Sequence, residues 1–158
     1  MAGVAQPNTL REVNRLVDGG LLRERRAGNT RLVAANTDSP YYEPLVQILG
    51  RAYGPAVQVP RALADIRDIE RVVIIDSWAR RYQGEAGPPP NDVDVIVVGS
   101  PSSRELRRAN ALLEDQLGVP VQLTVVTPED WDLQPTAFLQ TVRSSPYLTV
   151  LDNTGDQE

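Results

Sequence analysis

Asp92 and Asp94 stand two residues apart in Asn91-Asp92-Val93-Asp94-Val95-Ile96-Val97-Val98. Residues i and i+2 of a strand point to the same face. If this run is a strand, both carboxylates project together, as a grip on a divalent cation requires. Upstream, Val72-Val73-Ile74-Ile75-Asp76-Ser77-Trp78 reads as a buried strand that ends in a tight turn bearing a serine. The chain has no cysteine and no histidine. Thiolate and imidazole ligands are therefore excluded, with zinc sites and His-based triads. Carboxylates remain, and an all-oxygen site favours a hard ion, Mg²⁺ or Mn²⁺.

The elements that must position these residues can be read from patterning. Asp92–Val98 is rich in β-branched residues and reads as a strand buried on both faces. Gln83–Pro90 holds two glycines and three consecutive prolines and reads as a loop, after a helical turn at Trp78–Tyr82. A short helix around Val59–Ile66 leads into the strand Val72–Ile75. A longer helix starts at Ser102 or Ser103 and runs through Leu117. Val119–Val126, interrupted early by Pro120, is a third strand. Pro128–Trp131 opens a short helical piece, with Glu129 and Asp130 as helix-start acids, and Ala137–Ser144 forms another helix. Tyr147–Leu151 adds an edge strand. Glu114-Asp115 reads as a solvated helix face, and Trp78 and Trp131 read first as packing residues.

Ahead of this body, Pro7 suits a first helical turn. Leu10, Val13, Leu16 and Val17 form one apolar helical face, and Gly19-Gly20 stops the helix. Residues 21–26 and 30–34 read as a hairpin with its tip at Ala27-Gly28-Asn29. A further helix follows Ser39-Pro40, with Leu45, Ile48, Leu49 and Ala52 expected inward.

The 158 residues suit one ordinary domain or two small ones. No run of about 18 apolar residues is present, so no membrane span is expected. A cytoplasmic location is expected by default. Residues 1–35 hold six arginines against Glu12, Asp18 and Glu24, a net of +3, on a chain whose total is -5. A basic head on an acidic body points to a polyanionic partner.

The segment Pro7–Leu22 resembles the recognition helix and first wing strand of ArsR- and MarR-like winged-helix regulators. The resemblance implies that Asn8, Thr9, Arg11 and Arg15 face DNA bases and that Arg25, Arg26, Asn29 and Arg31 lie along the backbone. Such domains carry two more helices before the recognition helix. Only about six residues precede it here, so the resemblance implies a partial winged helix, with three readings open: a truncated chain, a start later than the ancestral one, or missing packing supplied by another subunit. A homodimer is expected. A bland alternative is an amphipathic helix and hairpin used for assembly.

The segment Val73–Val98 resembles the minimal nucleotidyltransferases of the polymerase-β superfamily, which carry a Gly-Ser turn after one strand and Asp-x-Asp on the next. The resemblance spans about residues 60–150. It implies that Asp92 and Asp94 are the catalytic metal ligands, with Asp76, Ser77, Trp78, Arg80 and Arg81 at the nucleotide and an NTP as substrate. Two departures stand out. Asp76 replaces the expected glycine, and the strand Val121–Val126 carries no third acid, only Gln122 and Thr124.

The expected architecture is thus α+β: a partial winged helix over residues 1–38, a connecting helix over 39–56, a nucleotidyltransferase-like mixed sheet flanked by helices over 57–152, and a flexible tail over 153–158. The expected function is a DNA-binding regulator with a degenerate transferase site. The alternative is an active transferase that moves NMP to a protein or small-molecule acceptor, antitoxin-like by resemblance.

Overall fold

The computed structural model describes residues 6–155. Contacts divide the chain into two units, Met1–Val46 and Gln47–Glu158.

In the first unit, helix α1 (Gln6–Asp18) is followed by strands β1 (Leu22–Ala27) and β2 (Thr30–Ala35). Gly20 ends the helix at φ +70, and the Leu21 N–H closes onto the Leu16 carbonyl at 2.9 Å. The strands pair antiparallel from Leu22↔Ala35 to Ala27↔Thr30. The turn is therefore the two residues Gly28-Asn29, with Gly28 at φ +58. Arg31 ties helix to hairpin, because its guanidinium donates to Glu24 and to Asn14 Oδ1, each at 2.6 Å. Val13 and Val17 are half-buried, but no residue from 8 to 46 is fully buried.

Helix α2 (Tyr42–Tyr53) runs through the division. The expectation that Ile48 and Leu49 face inward is not met, since they are 60% and 51% exposed. The helix turns its other side inward. There the Gly50 carbonyl accepts from the Tyr82 hydroxyl at 3.1 Å, and a Cβ on Gly50 would lie 3.7 Å from the Trp78 ring.

The second unit continues with α3 (Pro55–Leu63), β3 (Ile69–Ile74), α4 (Asp76–Tyr82), β4 (Val93–Gly99), α5 (Ser103–Leu117), β5 (Val121–Val126), α6 (Pro128–Leu133), α7 (Ala137–Ser144) and β6 (Leu148–Asp152). Helix α3 starts earlier than the pattern suggests because Pro55 presets the first turn. The strands form one mixed sheet in the order β5-β4-β3-β6. β4 and β5 are parallel, with α5 as the crossover between them, and β3 is antiparallel to both neighbours. The fold is α+β, a four-stranded mixed sheet flanked by helices.

Alternation along β4 splits the core in two. Val93, Val95 and Val97 pack with Val59 and Leu63 of α3 and with Leu106, Ala109 and Leu113 of α5. Ile96 and Val98 pack on the opposite face with Trp131, Leu139 and Val142. Full burial of such a side chain contributes about 1.5–3 kcal/mol, so β4 anchors both layers. Beyond β4, Gly99 sits at φ +142, where a Cβ would lie 2.1 Å from the Asp68 carbonyl oxygen.

Glu114 is not merely solvated, because its Oε1 accepts from the Val121 N–H at 3.1 Å and so fixes the start of β5. Glu129 and Asp130 do open α6, where Thr127 caps the Asp130 N–H at 3.0 Å. Of the expected tail, Asn153 is bound to the sheet, its amide donating to the Ile69 carbonyl at 2.9 Å. Residues 156–158 lie outside the described residues. No helix among the described residues is long and apolar enough to cross a membrane.

Candidate functional site

Asp94 is the second residue of β4 and has even parity, so it projects on the face of Ile96 and Val98. It is half-buried, and Asp92, just ahead of the strand, is exposed. The antiparallel pairing of β3 with β4 then determines what lies beside them. Ile74 pairs with Val95, and the Ile75 N–H donates to the Asp94 carbonyl at 3.0 Å. The turn Ile75-Asp76-Ser77 is therefore held next to Asp94.

Asp76 adopts φ +55, a left-handed conformation. Such backbone suits glycine best, and aspartate is among the few other residues that enter it with modest cost. Burial pushes the Asp94 carboxyl above its ordinary pKa, and the charges of Asp92 and Asp76 push it further the same way. Three carboxylates thus share one electrostatic neighbourhood. Among the described residues no group of three or more acidic, histidine or cysteine side chains is gathered tightly enough to enclose a metal ion. Any cation here would rest on the Asp92–Asp94 pair and draw its remaining oxygens from water or a ligand.

The neighbouring strand supplies no acid. In the parallel register of β4 and β5, Gln122 stands beside Asp94 and Thr124 beside Ile96. Gln122, exposed, occupies the rung from which a third carboxylate would reach the pair.

On α4, Ser77 Oγ accepts from Arg80 Nη2 at 3.3 Å. Arg80 also approaches Asp76 at 3.8 Å and Glu85 at 3.4 Å. Arg81 turns the other way. It donates to the carbonyls of Glu85 at 2.7 Å and Pro88 at 3.2 Å, and also to that of Ala86. It thereby grips the 83–90 loop, where Gly87 at φ +140 lets the guanidinium lie against the backbone. Arg80 is the cation beside the serine turn, whereas Arg81 shapes the loop. Glu85 was not singled out from sequence, although its position four residues after Arg81 is ordinary spacing for a helical ion pair. Trp78 is half-buried against the α3–α5 side of the core, with the Tyr82 ring 5.7 Å away. The Tyr82 hydroxyl accepts from the Ala56 N–H at 3.0 Å, and burial raises its pKa.

The expected DNA-facing residues divide similarly. Asn8, Thr9, Arg11 and Arg15 are exposed on α1, and Arg15 pairs with Glu12 at 3.3 Å. Arg25, Arg26 and Asn29 are exposed on the hairpin. Arg31 is committed to Glu24 and Asn14 within the unit.

No protein-family model matches the chain, and no curated protein matches it. Among solved structures, one similar chain comes from a crystal structure of a toxin–antitoxin with AMP-PNP. Its TM-score is 0.43 at 14% identity, over 65% of this chain and 77% of that one. A second comes from a mutant of the toxin–antitoxin MntA-HpeT. Its TM-score is 0.42 at 12% identity, over 64% of this chain and 75% of that one.

Proposed function

We propose that residues 57–152 form a nucleotidyltransferase-type module that binds an NTP together with Mg²⁺ or Mn²⁺ at Asp92 and Asp94. The observation that supports this reading is the Ile75–Asp94 backbone bond, which sets a serine turn beside a half-buried carboxylate with a second acid two residues away. The donor set fits a hard cation. Asp94 is held above the ordinary carboxylate range by burial and by two like charges, a cost that a bound cation relieves.

When bound, the metal would neutralise the triphosphate and favour in-line displacement at phosphorus. Asp92 and Asp94 are the residues that would hold it. Ser77 offers a hydroxyl to the phosphate oxygens, and Arg80 adds positive charge beside it. An acceptor hydroxyl on a protein or small molecule forms the new bond to the α-phosphorus and gives its proton to water. The bond to the β-phosphate oxygen breaks, and pyrophosphate leaves. Asp76 and Gln122 both weaken this site, the first by repelling phosphate and the second by withholding a third anionic ligand.

Calorimetry with Mn²⁺ and ATP on the native chain, Asp92→Ala and Asp76→Gly tests the reading, with label transfer from α-labelled ATP as a second measurement. Binding lost in Asp92→Ala and retained or strengthened in Asp76→Gly supports it. No binding by either the native chain or Asp76→Gly overturns it.

A second reading concerns residues 1–38. Exposed Arg25 and Arg26 near the hairpin tip, with Asn8, Arg11 and Arg15 along one side of α1, favour contact with DNA phosphates and base edges. This would make the chain a regulator with a nucleotide-responsive body. Mobility shifts at low salt test it, and absence of any shift counts against it.

A further inference from the structure

The two outer strands of the sheet meet solvent differently. β6 has five residues, shifts register against β3 between Val72 and Val73, and ends at Asp152, which pairs with Arg71 at 3.0 Å. β5 is Val-Gln-Leu-Thr-Val-Val, with no charge, no proline and no register shift. Charges, prolines and bulges are the usual means by which an outer strand avoids pairing with another chain. β5 uses none of them, and Val125 is 45% exposed.

The backbone of β5 is directional. The Val93 N–H donates to the Pro120 carbonyl at 2.9 Å, and Val93 pairs with Val121. In a parallel ladder this turns the N–H groups of Gln122, Thr124 and Val126 toward β4, and those of Val121, Leu123 and Val125 outward. Glu114 satisfies the first of the outward set at 3.1 Å. Among the described residues no side chain caps the other two. Beside this edge lies an open groove of about 410 Å³ lined by Leu106, Arg107, Asn110, Ala111, Glu114 and Leu123. Asn110 contributes a buried Oδ1 that has no hydrogen-bond partner.

We propose that a second copy of this chain docks on this edge, β5 against β5 and antiparallel, about a twofold axis at Leu123. An isologous contact must be self-complementary, and two independent patterns here are. Along β5 the run Val121-Gln122-Leu123-Thr124-Val125 alternates identically in both directions. Val121 meets Val125 of the other copy, and Gln122 meets Thr124, so apolar faces apolar and polar faces polar on each side of the joined sheet. On α5, Arg107 and Glu114 flank Asn110-Ala111 symmetrically, three residues away on either side. The same axis passing between Asn110 and Ala111 sets Arg107 of each copy opposite Glu114 of the other. Leu123 lines the groove with this pair, and the Glu114–Val121 bond anchors α5 beside the start of β5. Docking would pair the outward N–H groups of Leu123 and Val125 and enclose the groove. A strand donated by a different protein would satisfy the backbone equally but would leave the chain alone monomeric.

Sedimentation equilibrium of the whole chain at micromolar concentration tests this. The native chain is expected at twice its 17.4 kDa mass. Val125→Lys, Arg107→Glu and Glu114→Arg are each expected to weaken association by at least about tenfold, since like charges then face each other or a charge must be buried. An equimolar mixture of Arg107→Glu with Glu114→Arg is expected to regain the dimer, because each altered position then faces its opposite charge. That recovery also shows both variants to be folded. A monomeric native chain, a dimer indifferent to all three substitutions, or a mixture that stays monomeric overturns the proposal.

Discussion

The N–H of Ile75 lies 3.0 Å from the carbonyl oxygen of Asp94, and through that bond the end of one strand is held beside the start of the next. The turn at Asp76-Ser77 cannot move along β3 without breaking the register that also seats Val95 and Val97 in the core.

Asp94 should titrate above an ordinary aspartate, and Asp76→Asn should bring it part of the way back by removing one of its two repelling neighbours. Carboxyl carbon shifts followed by NMR against pH measure this directly. The sign for stability follows. A folded pKa above the unfolded one means that ionised Asp94 destabilises the fold at neutral pH, and that the cost is relieved as pH falls through its folded pKa. Asp94→Asn should therefore raise the urea midpoint at neutral pH, with the gain fading in acid.

The rung shared by Asp94 and Gln122 predicts a position-specific gain. Gln122→Asp should tighten Mn²⁺ binding by roughly tenfold, the effect of one added anionic oxygen ligand worth about 1.4 kcal/mol. Thr124→Asp should not, because it stands beside Ile96. Mn²⁺ titration followed by electron paramagnetic resonance compares the two.

Asp76 holds φ +55, which glycine adopts more readily. Asp76→Gly should be neutral to stabilising, by up to about 1 kcal/mol, after the loss of its exposed contact with Arg80 is set against the relief of the backbone. Thermal unfolding measures it. The opposite is expected of Gly99→Ala, where the added carbon would lie 2.1 Å from the Asp68 carbonyl oxygen. A loss of about 2–3 kcal/mol is expected there.

On the hairpin, Arg25→Ala and Arg31→Ala should differ in kind. If the first unit holds DNA, Arg25→Ala should reduce the slope of affinity against salt by about 1, the signature of one lost phosphate contact, and leave the unit's structure intact. Arg31→Ala should loosen α1 from the hairpin, because it removes the bonds to Asn14 and Glu24. Amide chemical shifts across residues 8–35 separate the two effects.

How much of this was legible in advance depends on the range of the forces involved. The β-branched run Val93–Val98 and its apolar neighbour Val72–Ile75 announce two buried strands, and period-two geometry alone places Asp94 on one face. The hairpin is equally local, since its Gly28-Asn29 tip specifies it within a residue. What could not be read was set by pairing across the chain. The alignment of Gln122 with Asp94 depends on a parallel register that no nearby residue encodes. The division of labour between Arg80 and Arg81 depends on where the proline-rich loop folds back. Ile48 and Leu49 form a convincing inward stripe by spacing, yet Gly50, which lacks any side chain, is what lets the opposite side approach Trp78 and Tyr82.

The leading unit, residues 8–46, is stitched by hydrogen bonds and half-covered side chains, whereas β3 and β4 sit beneath helices on both faces. Its amide protons are therefore expected to exchange with deuterium through local opening, long before the central strands yield theirs in whole-molecule unfolding. One polypeptide thus carries two clocks, a fast one at its arginine-bearing front and a slow one around its paired aspartates.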